Sequence, residues 1–274
     1  MPASVAALLA CSTQALAQTR TLNSGSTIYQ QTGDFTATTG DSRLGTGGIF
    51  DQLFANTWYF RTGSFNGVRI FSSLVTPSYT QEAANVGSWR WLNNGAGPTD
   101  RFDATLRISL NEVAPGAAQV LNELTLTNRT ATAVTFNIFN RIDLDLSGTN
   151  TDDRIAAAQA PGVLAFRQSD ASTNFANIAG FGADRFAVNT STNIRNLFPT
   201  SSFNAGTILN LNNTVTNAGP ADLAVALQWT FTLNPGESFS LASSFAINAP
   251  AIPAPGAAGL LLAGGALAAR RRRR

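Results

Sequence analysis

The chain of 274 residues contains no histidine, no lysine and a single cysteine. Without histidine it cannot run Ser-His-Asp or Cys-His catalysis, nor build a histidine metal site. Cys11 falls in an N-terminal stretch that reads as a targeting signal, so the remainder has neither a disulfide nor a thiol nucleophile. Charge is scarce too: 12% of residues are charged and 44% are apolar. All 18 basic residues are arginine, and five of them are the consecutive Arg270, Arg271, Arg272, Arg273 and Arg274. The other 13 stand against 16 acidic residues, a net of −3, so the sequence up to that cluster is mildly acidic. It therefore lacks the basic face that nucleic-acid binding requires. Gly45-Thr-Gly47-Gly48 has neither the lysine nor the following helix of a phosphate-cradling loop.

What is present begins with two addresses. Val5–Ala10 is a short apolar core, and Ala15-Leu16-Ala17 puts small residues three and one positions before a cut at Gln18. That pattern predicts a signal peptide over residues 1–17, removed by signal peptidase. At the other end Pro253-Ala254-Pro255 breaks any strand, because proline has no N–H to give a ladder. Residues 256–269 (GAAGLLLAGGALAA) carry no charge, and the arginine cluster follows. A helix of this length spans roughly 21 Å at 1.5 Å per residue, short of a hydrocarbon core of about 30 Å, although arginine stems can snorkel. The positive-inside rule keeps the arginines cytoplasmic and the body outside.

Proline bracket, glycine- and leucine-rich apolar run and arginine cluster, in that order, resemble the PEP-CTERM sorting domain. The likeness covers about the last 22 residues, with Ala254 where that family usually has glutamate. It implies an exosortase-like processing enzyme and an inner-membrane stage held by a single transmembrane helix. The final location would be the cell surface or extracellular matrix of an exopolysaccharide-making Gram-negative bacterium. Residues 250–274 are accordingly assigned to sorting and anchoring.

Residues 18–249 read as one all-β ectodomain, an antiparallel β-sandwich. From Phe102 to Leu110 every even position is apolar and every odd one polar, the period-two pattern of a strand with one wet face. Leu124 and Leu126 continue the theme. Val134, Phe136, Ile138, Ile142, Leu144 and Leu146 share one parity, with Asn140 marking a bend. Leu223 to Leu233 alternate likewise, and Asn234-Pro-Gly-Glu237 predicts a turn into a hairpin partner bearing Phe239, Leu241, Phe245 and Ile247. Helical candidates are few: Asp152–Gln159 and Ser191–Leu197. Strands without interleaved helices favour a sandwich over a parallel sheet.

Three constellations could carry chemistry. Asp143, Asp145, Asn150, Asp152 and Asp153 are the densest set of oxygen ligands and could wrap a calcium ion, the sole cofactor suggested. Their odd numbering also places Asp143 and Asp145 on the face opposite Ile142 and Leu144, where they would simply be solvated. Trp89 and Trp91 project to one side and could stack on a sugar ring, or be core. Asp103, Glu112, Glu123, Asp143 and Asp145 offer carboxylates for glycoside hydrolysis, though no spacing pairs two of them. The leading expectation is a non-enzymatic structural or adhesive surface protein within an exopolysaccharide layer. The alternative is a carbohydrate-binding module or an extracellular glycan-acting enzyme.

Overall fold

The computed structural model describes residues 18–32, 42–46, 50–63, 68–71, 77–92, 101–157, 162–198 and 210–251. The expected signal peptide, sorting motif, apolar run and arginine cluster lie outside them. No helix among the described residues is long and apolar enough to cross a membrane. The strands are β1 (Arg20–Ser24), β2 (Thr27–Gln31), β3 (Ser42–Thr46), β4 (Phe50–Asp51), β5 (Ala55–Thr62) and β6 (Arg69–Ile70), followed by β7 (Ser78–Ala83), β8 (Val86–Trp91), β9 (Phe102–Ala114) and β10 (Ala117–Asn128). After them come β11 (Val134–Asp143), β12 (Arg154–Ala157), β13 (Val163–Ser169), β14 (Phe175–Phe181) and β15 (Arg185–Thr190), then the helix α1 (Ser191–Leu197), β16 (Thr214–Val215), β17 (Leu223–Leu233) and β18 (Ser238–Ile247).

They form a sandwich. One sheet runs β12-β13-β14-β18-β10-β9-β8-β7, the other β16-β15-β17-β11-β5-β6, and β1 to β4 make a small third sheet. Among the described residues every strand pairing is antiparallel except β15 with β16. The alternation in β9 is realised as read: Phe102, Ala104, Leu106, Ile108 and Leu110 are buried while the residues between them are half-buried. A flat pleat facing one core demands this of a period-two sequence.

Two expectations change here. The expected hairpin of β17 and β18 is an arch instead. β17 pairs with β11 and β15 in one sheet, whereas β18 pairs with β10 and β14 in the other. Its turn is as anticipated, with Gly236 at φ +75° and Glu237 N–H donating to the Asn234 carbonyl at 3.0 Å. Asn140 is no bend either. β11 runs unbroken through it, and Asn140 occupies a core-facing position with no exposure.

Asn140 survives there because its polar atoms are satisfied. Its Nδ2 donates to Asn56 Oδ1 (3.0 Å), and Asn56 Nδ2 to Asn122 Oδ1 (2.9 Å). Asn122 Nδ2 donates to Ser243 Oγ (3.2 Å), whose hydroxyl returns to Asn140 Oδ1 (2.8 Å). The ring ties β5 and β11 of one sheet to β10 and β18 of the other, and all four residues are fully buried. A closed ring leaves none of these groups with an uncompensated desolvation cost.

The six-stranded sheet is covered on both faces. α1 lies on its outer side, where Phe198 just beyond the helix stacks on Tyr59 at 4.3 Å and meets Phe139 edge-on at 5.7 Å. Ile194, Leu211, Ala187, Ala224 and Ala226 complete this second core. Thr190 caps the helix, accepting from Asn193 N–H at 3.4 Å. Ser191–Leu197 is thus helical as expected, while Asp152–Gln159 is not: its middle forms β12.

Candidate functional site

The cover over the six-stranded sheet decides where the chemistry sits. Asp143 does lie on the face opposite Ile142, but that face belongs to the second core and Asp143 has no exposure at all. The expectation of a solvated carboxylate fails because α1 roofs it. Asp143 Oδ2 accepts from Ser191 Oγ (2.6 Å) and from the equally buried Arg141 guanidinium, which also reaches Ser191 Oγ at 3.3 Å. The backbone N–H of Phe54 holds the Asp143 carbonyl at 2.9 Å, fixing the corner before β5 against the end of β11.

Above this buried ion pair Asp145 and Asp222 complete a triad whose carboxylate oxygens lie within 4.8 Å of one another. Asp145 follows β11 directly. Asp222 arrives from the start of β17, placed by Ser191 N–H donating to its backbone carbonyl at 2.9 Å. Asp222 Oδ1 and Asp143 Oδ1 are buried and accept no hydrogen bond among the described residues. The half-buried Asp145 and Asp222 open onto a cleft of about 100 Å³, walled by Phe54, Asn150, Ser191, Thr192 and Arg195.

The electrostatics separate the three acids. Burial pushes Asp143 above the usual carboxylate range, with Arg141 and Ser191 pulling back. Burial raises Asp145 to about 7, and the charges of Asp143, Asp222 and Asp51 add to the rise. Asp222 is raised to about 6, again by burial first and Asp143 next, against Arg141 and Arg195. Asp145 therefore holds its proton to higher pH than Asp222 beside it.

The residues expected to bind calcium are divided. Asp143, Asp145 and Asn150 share the cleft region, with Asp222 joining them. Asp152 is engaged elsewhere, accepting from Thr149 Oγ1 (2.7 Å) and Ala171 N–H (3.2 Å). Asp153 is fully buried and bridges to Ala221 through the backbone. Asp143, Asp145 and Asp222 are the described acids close enough to hold a cation jointly, but Arg141 and Arg195 already stand against two of their three charges.

Trp89 and Trp91 do not form a sugar platform. They are 0% and 1% exposed, Trp89 packed on Tyr79 at 4.9 Å and Trp91 edge-on to Phe71 at 5.4 Å. Their shared parity is real, and it points inward. The remaining candidate carboxylates serve the sheet surface. Asp103 pairs with Arg129 at 2.6 Å, Glu123 with Arg107 at 2.8 Å, and Glu112 accepts from Thr27 Oγ1 at 2.9 Å.

Asp222, Ser191, Arg195, Arg141 and Phe54 were not singled out by spacing. One signal for them existed. The second parity of β11 carries Phe139, and that of β17 carries Ala224 and Ala226, so the outer face had to be covered closely.

No family model and no curated protein matches the chain. Solved structures align with most of the chain at TM-scores below 0.5. A galactose mutarotase related enzyme from Lactobacillus acidophilus is similar at 7% identity and a TM-score of 0.47, covering 85% of this chain and 98% of its own. A galactose mutarotase-like protein from Lactobacillus casei aligns at 9% identity and 0.45, over 84% and 100%. A GalM/aldose epimerase homologue from C. elegans aligns at 10% and 0.46, over 84% and 98%. The sandwich itself is established by the chain's own sheet order. The expectation of a non-enzymatic protein is withdrawn against these similar proteins, which include a galactose mutarotase related enzyme; no activity passes from them to this chain.

Proposed function

We propose that the protein is an exported, glycan-acting surface protein in which Asp145 and Asp222 work as an acid–base pair. The observation that carries this is their juxtaposition: two carboxyls within 4.8 Å in an open cleft, titrating at about 7 and about 6. A general acid and base are most effective when their pKa values bracket the working pH. Asp145, holding its proton longer, donates to a ring or glycosidic oxygen. Asp222, ionised first, takes the proton released by a hydroxyl or by water. Arg141 and Ser191 fix Asp143, and burial first, with the Asp143 charge second, keeps both neighbours raised. Phe54 offers a ring to the C–H face of a sugar, and Asn150, Thr192 and Arg195 supply hydrogen bonds to hydroxyls.

Support for the exported setting comes from the sequence alone: the leader over residues 1–17 and the PEP-CTERM-like tail, with an exosortase-like enzyme, signal peptidase and exopolysaccharide as partners. The test is turnover of the full chain on a panel of reducing sugars and bacterial glycans. Asp145→Asn and Asp222→Asn should each lower the rate at least about a hundredfold, the usual worth of a positioned acid or base. Turnover untouched by both substitutions, or none on any member of the panel, would overturn the assignment.

A further inference from the structure

We infer that a second cavity, across α1 from the carboxylates, binds a neutral pyranose unit of a glycan. The ligand class is the one in the proposed function, on which this inference rests, but the residues are different. The cavity holds about 320 Å³, within the range of small-ligand sites, against about 100 Å³ for the acidic cleft. Its floor is apolar: Val188, Ile194 and Leu211 are buried, and Leu197 of the helix closes one side.

Among the described residues its rim is built from four asparagines and carries no ionisable side chain. Three of them have their oxygens committed. Asn189 Oδ1 accepts from Thr190 N–H (2.8 Å) and Asn193 Nδ2 (3.2 Å), and Asn212 Oδ1 from Thr214 Oγ1 (2.6 Å). Asn210 Oδ1 accepts from Arg61 Nη2 (3.2 Å) and Gln228 Nε2 (3.1 Å). Their three NH₂ groups donate to nothing among the described residues, and Asn193 Oδ1 accepts nothing there. The rim therefore offers several donors and one acceptor around an apolar floor.

A pyranose matches both parts. Its C–H face covers Ile194 and Leu197, and its hydroxyls accept from the amides while one donates to Asn193. A simple amphiphile would use the floor and leave the amides unanswered. A charged sugar would find no opposite charge in the lining. α1 separates the two sites, with Ser191, Thr192 and Arg195 on one side and Asn193, Ile194 and Leu197 on the other, so they share no lining residue.

The test is saturation-transfer NMR on the full chain with D-glucose, D-galactose and N-acetyl-D-glucosamine, with D-glucuronate and octyl alcohol as contrasts. Saturation should reach the ring C–H protons of at least one neutral sugar. Leu197→Trp, which fills the cavity, should abolish it. Asn193→Ala, at an exposed position that leaves the fold intact, should weaken binding about fivefold, the usual worth of one neutral hydrogen bond. The double Asp145→Asn, Asp222→Asn variant should bind as the parent does. No saturation of any neutral sugar, preferential binding of octyl alcohol or glucuronate, or sugar binding indifferent to both cavity variants would overturn the inference. Loss of turnover in the Asp variants together with indifference to the cavity variants would sink this site alone. Cavity-dependent binding without turnover would sink the acid–base reading alone.

Discussion

Replacing Asp153 by asparagine should flatten the fall in stability between mildly acidic and mildly alkaline pH. Asp153 is fully buried, with the Gln168 side chain its one counterweight to desolvation. Burial pushes it up to about 8; Gln168 opposes, and the charges of Asp145, Asp152 and Asp170 add to the rise. The unfolded chain releases this proton near 3.8. Between those values the folded state holds a proton that the unfolded state has lost, so stability is fully present below about pH 4 and drains as pH rises through 8. At about 1.4 kcal/mol per unit, the loss from pH 5 to pH 8 is about 4 kcal/mol. Asparagine has nearly the same shape and no proton to lose. Urea unfolding of parent and variant at pH 5 and pH 8, at fixed salt, isolates Asp153 because the other raised acids are common to both. The variant should gain about 4 kcal/mol over the parent between the two pH values. Parallel stability curves would refute the reasoning.

Other outcomes follow from the same structure. Asn140→Ala removes two bonds of the buried ring and strands Asn56 Oδ1 and the Ser243 hydroxyl, so denaturant unfolding should show a loss of about 3 kcal/mol; less than about 1 would mean the ring is dispensable. Arg141→Met leaves Asp143 buried without its counter-charge, and the unfolding free energy should drop by about 3–5 kcal/mol at pH 8, with much of it regained in the Arg141→Met, Asp143→Leu double variant. Millimolar calcium, or a chelator, should leave the melting temperature unchanged, because Arg141 and Arg195 already oppose two of the three acidic charges; a rise of several degrees with calcium would restore the cation reading.

Much of the sandwich was legible because a one-sided strand cannot hide its period. Phe102 to Leu110 announce β9, and Leu223 to Leu233 announce β17, from their own residues. Pro235 and Gly236 likewise give the turn. They could not say that the chain crosses between sheets there, because an arch and a hairpin use the same turn chemistry and differ only in long-range partners. Asn140 looked like an interruption for a related reason. A polar residue at a core position is tolerated only if other chains of sequence meet it, and Asn56, Asn122 and Ser243 come from three distant strands. The site was half legible: Asp143 and Asp145 stood out as alternating acids, but Asp222 is brought to them purely by the pairing of β17 with β11. Trp89 and Trp91 misled because parity tells which residues share a face and not whether that face is wet.

The acid–base account meets its most direct test in the pH dependence of turnover on whichever sugar or glycan the panel identifies. With Asp222 needed ionised and Asp145 needed protonated, the rate should trace a bell with limbs near 6 and 7. The residual rate of Asp222→Asn should lack the acidic limb, and that of Asp145→Asn the alkaline one. A rate flat across pH 5 to 8, or limbs that persist in both variants, would contradict it.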